Sequence, residues 1–529
     1  MTPTIPIKYH LIRLVPQGDK VEEERESWLD KVFQWLDERV GIYGHTIAKA
    51  PRYAYRLDYW LGSMVLASFA LAVITGALVA LYYVPSDPYA STVYLITKVP
   101  YGALLFSIHT WAAYAMIFLL IIHMTRNFIV GAYRKPREIM WVVGVILAGL
   151  ALTEAYLGYS LPYNLISWTA TTTGLNLFTY MPFNLAALIK LMTTVPTNLP
   201  GIASGVDPLV DRFFIFHWIV GGLILLFIMI HLAIFEKHGG PTPPPSKEPG
   251  PELIEHFRDK VENNPNWRLQ PYTRTFGMIL MTFFLIFGAV ILIASLIPYN
   301  ITITGGGLKY TMPEYNPVLA AQTPPIPDWY FLFIYFFYKS VPPQNASIIF
   351  LAWILITLLF PFIDQYIFRH KASHPVMRPA AIALGTGFII SFIVNSIWAY
   401  RTPGVDIGPI GVEVDGLIFL ASFVILYPLI KFYLAPRSIG GDSSGGSFNF
   451  GKSMSLKTKT LNLQQQKLIL RSTEIVFIGL VSSFIYTTSQ LFASLQLTYI
   501  TAQFGVGFLL GIDFLLLAGI LGFLVFGGK

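Results

Sequence analysis

The chain has 529 residues, of which 54% are hydrophobic and only 12% charged. A soluble domain carries about a quarter charged residues, so this composition excludes an ordinary soluble protein, and the net charge of +7 reads as membrane topology rather than nucleic-acid binding. There is no cysteine, which excludes disulfides, iron–sulfur ligation, thiolate zinc and c-type haem attachment within this chain.

Residues 1–57 are charged and amphipathic, without the short apolar core and small-residue cleavage site of a secretory leader, and are expected to be cytoplasmic. Apolar runs long enough to cross a bilayer, about 20 residues each, then recur. They predict spans over 58–84, 103–125, 139–159, 212–235, 276–298, 346–367, 378–399, 413–434, 474–495 and 502–527. The period-two alternation of a barrel is absent. The expected class is therefore an all-α polytopic membrane protein.

Lysine and arginine collect in alternate loops. Arg126, Arg134, Lys135 and Arg137 follow the second span, and Lys237, Lys247, Arg258, Lys260, Arg268 and Arg274 follow the fourth. Arg369, Lys371 and Arg378 follow the sixth, and Lys452, Lys457, Lys459, Lys467 and Arg471 the eighth. The other loops hold scattered single charges such as Lys190, Lys309 and Arg401. The positive-inside rule then leads to the expectation that both termini are cytoplasmic.

Two linkers divide the chain. A Pro-rich stretch, GGPTPPPSKEPGPE, opens a cytoplasmic linker over 239–275, and GGDSSGGSFNFGKS lies in a flexible one over 436–473. The expected plan is four spans in 58–238, four in 276–435 and two in 474–529. Within the second linker GSFNFGKS (446–453) matches a phosphate-binding loop, but no strand precedes it. The motif needs a strand before it and a helix after it to converge amides on phosphate, so the linker reading is preferred.

The second span contains HTWAAYAMIFLLIIH, His109 to His123, and the fourth contains HWIVGGLILLFIMIH, His217 to His231. Each pair is 14 residues apart. At 100° per residue that falls about 40° short of four turns, and at 1.5 Å per residue it spans about 21 Å. Both side chains of a pair thus leave nearly one face, one toward each leaflet. Both spans enter from the same side, so His109 is level with His217 and His123 with His231. A single histidine near a helix end is ordinarily interfacial, but four at matched spacing describe two stacked bis-histidine sites. Intramembrane ionisable groups are costly and functional, and neutral imidazoles are axial ligands for haem iron. A zinc site would need further ligands at the same depth. Gly62 and Gly76 on the first span, and Gly144 and Gly158 on the third, repeat the spacing of 14. Glycine costs about 1 kcal/mol in a helix interior, so the pairs suggest room for close approach. From the histidines alone, a transporter with a histidine proton relay stands as the alternative.

The segments GSMVLASFALAVITG, RFFIFH, LGYSLP and PDWYFLFIYFFYKSVP, in their places along residues 55–435, resemble cytochrome b of quinol-oxidising bc-type complexes. That resemblance implies a four-helix di-haem bundle, four further transmembrane helices and, outside it, two extra C-terminal helices. It implies two haems, b-type or, as in some archaeal relatives, a-type. His109 and His217 would hold the outer one, and His123 and His231 the inner one. Arg126 and Arg212 match propionate-binding positions. It further implies an outer quinol pocket with Pro327, Asp328, Trp329 and Tyr330 as its Pro-Glu-Trp-Tyr motif and Tyr159 and Tyr335 nearby, although tyrosines also serve as interfacial anchors. Electrons would leave to a Rieske-type iron–sulfur protein and an inner quinone, among lipid and, in a supercomplex, terminal oxidase subunits. The sequence departs from the pattern in several places. Asp328 replaces glutamate, Phe106 an arginine, Thr169 a glycine, and Gly277 an aspartate. Glu236 stands where a histidine is expected, with Glu236 and Arg274 as candidate substitutes at the inner quinone site. Glu154 and Asp513 fall inside spans and are expected to be proton-path groups or packed polar residues.

Overall fold

The computed structural model describes residues 50–181, 206–237, 272–304, 307–434 and 503–527, with 240–242 and 244–245 between them. The expected ninth span, the phosphate-loop-like stretch and the N-terminal segment up to residue 49 lie outside the described residues. Nine described helices are long and apolar enough to cross a membrane. Such segments are helical because hydrocarbon offers the backbone no other hydrogen-bond partner.

The first four long helices are α1 (Leu61–Ala80), α3 (Gly102–Ile129), α4 (Glu138–Ser160) and α6 (Leu209–Lys237). Helix α1 packs along α3, and α4 along α6. Two short helices cover one end of this bundle: α2 (Pro88–Lys98), with proline in its first turn, and α5 (Leu165–Phe178). Asn164 caps α5 by accepting a 2.9 Å bond from the Ser167 amide.

Helix α7 (Tyr272–Leu296) lies against α1 and α3. It leads into an antiparallel hairpin, β1 (Ile301–Thr304) and β2 (Gly307–Tyr310), with Ile301 opposite Tyr310. A single-turn α8 (Pro317–Ala320) and the amphipathic α9 (Leu332–Ser340) follow. Helices α10 (Pro343–Phe362), α11 (Pro379–Arg401) and α12 (Ile410–Pro428) complete the second group. Proline opens α10 and α11, where a missing amide hydrogen costs nothing.

The last described helix, α13 (Gln503–Gly527), packs closely along α7. The two backbones touch at glycines. A Cβ at Gly288 would lie 2.8 Å from the Gly511 carbonyl oxygen, and one at Gly511 2.9 Å from the Leu292 nitrogen. Gln503 Oε1 accepts a 2.9 Å bond from the Leu104 amide, one of the unpaired first-turn donors of α3. This helix, beyond the stretch that matched the family motifs, is thus built into the bundle. Its Asp513 is buried.

A buried charge cluster joins the two groups at the arginine-rich end. Asp364 is fully buried. It accepts from Tyr133 Oη at 2.9 Å and Arg134 Nη1 at 3.1 Å, and pairs with His370 Nδ1 at 2.6 Å. Buried Arg378 stands 4.0 Å away and donates to Tyr133 and to the Phe128 carbonyl. One carboxylate thus faces two guanidiniums, and the Phe128 and Ser373 carbonyls take up further Arg378 donors.

Candidate haem and quinol site

Each histidine stands against one of the four glycines that share its spacing of 14. A Cβ at Gly76 would meet His109 Cε1 at 2.8 Å, and one at Gly158 would meet His217 Cε1 at 2.9 Å. At the other level the distances are 3.3 Å from Gly62 to His123 Cε1 and 3.6 Å from Gly144 to His231 Cε1. The glycines on α1 serve the histidines of α3, and those on α4 serve α6. Absence of a side chain makes room for an imidazole in each case.

At the first level the His109 and His217 ring centroids are 6.3 Å apart with planes at 86°. His109 Nδ1 lies 2.9 Å from the Ala72 carbonyl oxygen, which fixes the ring and leaves the other nitrogen for a metal. His217 Nδ1 lies 3.1 Å from Glu154 Oε1 on α4, so this span carboxylate sits beside one of the four matched histidines. At the second level Asn127 Nδ2 is 3.2 Å from His123 Nε2. Among the described residues no group of three or more histidines and carboxylates is placed to hold a bare metal ion. Two imidazoles per level is a donor set that fits a metal whose remaining ligands come from a planar tetrapyrrole. The residues fit haem.

The two arginines differ. Arg126 Nε and Nη2 donate to Asp58 Oδ2 at 3.2 and 3.0 Å, and its guanidinium lies 4.1 Å over the Tyr59 ring. A protein carboxylate therefore already engages the group expected to serve a propionate. Arg212 is half-buried in the first turn of α6. Phe106, in the place of an arginine, is buried with its ring 6.3 Å from Tyr299 and 6.1 Å from Tyr310.

A pocket of about 310 Å³ opens at the end of the bundle formed by the C-terminus of α4, α5 and the α7–α9 connection. Tyr159, Pro327, Asp328 and Trp329 line it, as expected. Tyr330 lies beneath, buried, with its ring 6.2 Å from Tyr114. Tyr335 does not line the pocket. It faces the second helical group, 5.3 Å from Lys339 Nζ, because α9 turns that side toward α11 and the Lys339 ammonium donates to Thr402 at the end of α11. Asn164, Tyr299, Asn300, Met312 and Tyr400 add to the walls, with the apolar Ile166, Ile326 and Leu332.

The Asp328 carboxylate is the chemical centre of the pocket. Burial raises its pKa above the ordinary carboxylate value, against hydrogen bonds from Tyr114, the Trp329 backbone and Tyr330. Tyr114 Oη lies 2.8 Å from both carboxylate oxygens. Tyr114 was not singled out from the sequence, and 214 residues separate it from Asp328. Its one sequence signal is a hydroxyl in the apolar run five residues after His109. Thr169 is buried on α5 with its hydroxyl unpartnered.

At the opposite end Glu236 closes α6 and Arg274 lies in the first turn of α7, both half-buried. Gly277 has a specific neighbour: a Cβ there would lie 2.7 Å from Val525 Cγ2 of α13. The aspartate expected at this position would collide with that helix.

The chain is similar to known proteins over both groups of helices. Residues 114–306 match the family model Cytochrome b(N-terminal)/b6/petB, and 318–406 match Cytochrome b(C-terminal)/b6/petD. The chain is 30% identical over 428 residues to a cytochrome b of Sulfolobus acidocaldarius, covering 77% of this chain and 72% of that one. It is 26% identical over 425 residues to a cytochrome b of Allochromatium vinosum, covering 76% and 94%. A solved structure titled "Hyperthermophilic respiratory Complex III" shares the fold, with a TM-score of 0.57 at 24% identity over 75% of this chain and 97% of that one.

Proposed function

This chain belongs to the cytochrome b family, a family of multi-span membrane electron-transfer proteins, and from that premise we propose that it is the quinol-oxidising subunit of a respiratory bc-type complex. Quinol binds in the Asp328 pocket at the outer face. One electron leaves to a Rieske-type iron–sulfur protein, which a cysteine-free chain must obtain from a partner. The other goes to a quinone near Glu236 and Arg274 at the inner face. Both termini lie in the cytoplasm of a prokaryotic plasma membrane, and a terminal oxidase is a further candidate partner.

The observation that carries this reading is the double level of histidines, each ring seated on its own glycine, with a carboxylate-bearing pocket at one end. Two haems, held by His109 with His217 and by His123 with His231, would supply one-electron carriers across the membrane. The protein's own residues do the rest. Gly62, Gly76, Gly144 and Gly158 set where the imidazoles stand. The Ala72 carbonyl and Glu154 orient them through Nδ1. In the pocket, ionised Asp328 accepts a proton from a bound quinol hydroxyl as the quinol gives up its electrons. The apolar and aromatic walls keep bulk water away from that transfer. Protons released there leave on the outer side and so add to a proton gradient.

The test is quinol oxidation by the assembled complex, followed with Asp328→Asn. The variant is expected to keep both haem signals and lose most turnover. Unaltered turnover at all pH values removes Asp328 from the mechanism, and a purified protein with no haem absorption returns the transporter reading.

A further inference from the structure

Aspartate at position 328 is one methylene shorter than the glutamate of the family motif, and a shorter side chain has less freedom to find its own orientation. In this protein a second helix supplies that orientation. Tyr114, on α3, holds its hydroxyl 2.8 Å from each oxygen of the Asp328 carboxylate. Its Oη is also 3.1 Å from Tyr299 Oη. A phenol has one hydrogen to donate. An ionised carboxylate can only accept, so the Tyr114 hydrogen goes to Asp328 and the Tyr299 hydroxyl donates to Tyr114. The direction of both bonds follows from that count.

The surroundings hold the two tyrosines still. The Tyr114 ring meets Tyr299 edge-on at 5.8 Å, Trp329 at 6.4 Å and Trp111 at 5.7 Å. The Tyr299 ring rests on Phe106 at 6.3 Å, and its backbone amide donates to the Ser107 hydroxyl oxygen at 3.1 Å. Phe106 is the residue that stands where the family pattern has arginine. The two departures from the pattern therefore meet in one cluster: phenylalanine packs the tyrosine that bonds the tyrosine that holds the shortened carboxylate.

We infer that Tyr114 is a positioning residue for quinol oxidation, clamping the Asp328 carboxylate toward the pocket, with Tyr299 as its support. This inference rests on the reading of the pocket as the quinol site. The clamp acts in two ways. It keeps both carboxylate oxygens at a fixed point of the pocket wall, so that a quinol hydroxyl finds its acceptor in place. It also stabilises the ionised form that must be present before a proton is accepted. The groups facing Asp328 are Tyr114 from α3, Tyr299 after α7, Tyr159 from α4, and Tyr330 on its own turn. Among the described residues no lysine, arginine or second carboxylate lines the pocket, and there hydroxyl hydrogen bonds offset burial of the charge.

The experiment uses the assembled complex in membranes with a synthetic short-chain quinol as substrate, comparing wild type, Tyr114→Phe, Tyr299→Phe and Asp328→Asn over a range of pH. Tyr114→Phe removes one oxygen and retains the ring. It is expected to lower kcat on the order of ten- to a hundredfold, the loss of one hydrogen bond to a charged group, with KM and both haem signals little changed. The acid limb of the pH profile is expected to move to higher pH, because the carboxylate has lost a bond that favoured ionisation. Tyr299→Phe is expected to shift the limb in the same direction by less, and it decides the matter should Tyr114→Phe fail to assemble with haem. A merely structural tyrosine would lower the yield of complex and leave the limb where it was. An unmoved acid limb in the variant that assembles, with Asp328→Asn inactive, overturns the clamp and leaves the quinol site standing. An active Asp328→Asn overturns both.

Discussion

Gly76→Ala gives the sharpest reading of how the helices make room for the histidines. The added methyl carbon would lie 2.8 Å from His109 Cε1 and 3.2 Å from Nδ1. Unstrained carbon contacts fall at about 3.5–4.0 Å, so the ring must retreat by roughly 0.7 Å or more. It is not free to do so, because Nδ1 is held 2.9 Å from the Ala72 carbonyl on the same helix as the new methyl. The cost is the overpacking of a tight site, about 1–3 kcal/mol, with a strained hydrogen bond added. Against this, alanine gains about 1 kcal/mol of helix propensity. A net of about 0–2 kcal/mol, to which the strained hydrogen bond adds, falls on the position of one axial ligand, a weakening of up to roughly thirtyfold, and more with that strain, in retention of the haem there. The four glycines should then follow their clearances. Gly76→Ala and Gly158→Ala (2.9 Å) are the most damaging, Gly62→Ala (3.3 Å) is intermediate, and Gly144→Ala (3.6 Å) is tolerated. Gly149→Ala, where nothing lies within 4 Å, is the control on the same helix as Gly144. Reduced-minus-oxidised spectra of the purified variants, scored as haem per chain, provide the measurement. Equal loss from Gly144→Ala and Gly76→Ala, or full retention in both, would refute the idea that clearance over the imidazole sets the ranking.

Other expectations follow from single contacts. Burial raises the Asp328 carboxyl above its ordinary value, so quinol oxidation should fall as pH drops through that raised value, giving an acid limb above the usual carboxylate range; Asp328→Asn should abolish the limb along with most of the rate. Asp364→Asn leaves buried Arg378 and Arg134 without their anion and should cost about 3–5 kcal/mol, read as a lower thermal midpoint in detergent with little change in the spectrum of the haem that remains folded. Gly277→Asp drives a side chain into Val525 of α13, and its signature should be loss of stability rather than a gain in quinone reduction; enhanced quinone reduction would show that α13 yields there. Gln503→Ala leaves the Leu104 amide at the start of α3 unpaired, a loss of about 1–3 kcal/mol visible in the same thermal assay.

The sequence carried the placing of the histidines and glycines well because helical geometry is local. A spacing of 14 converts directly into a face and a depth, so the four histidines and four glycines could be matched before any contact was known. What it did not carry was which glycine serves which histidine, since that depends on the pairing of α1 with α3 and α4 with α6. The pocket was legible through its Pro-Asp-Trp-Tyr turn and Tyr159, but Tyr114 and Tyr299 were not. Tyr114 reads as one more residue in an apolar span, and its partner is 214 positions away. Tyr335 was expected near the pocket because it matches a family tyrosine, and it is not among the residues that line it. The hairpin β1–β2 and the short helices α2, α5 and α9 were hidden for a related reason: interfacial connections have neither the length nor the uniform hydropathy that marks a span. Gly277 looked like a missing ligand until Val525 of the last described helix gave it a steric reason.

The two histidine levels are proposed to be two haem sites. A pyridine haemochrome assay on the purified chain, normalised to protein, tests this most directly. Two haems per chain are predicted, falling to one in His231→Leu with the outer-level signal retained. A value of zero in the wild-type protein, or two in His231→Leu, would contradict the assignment.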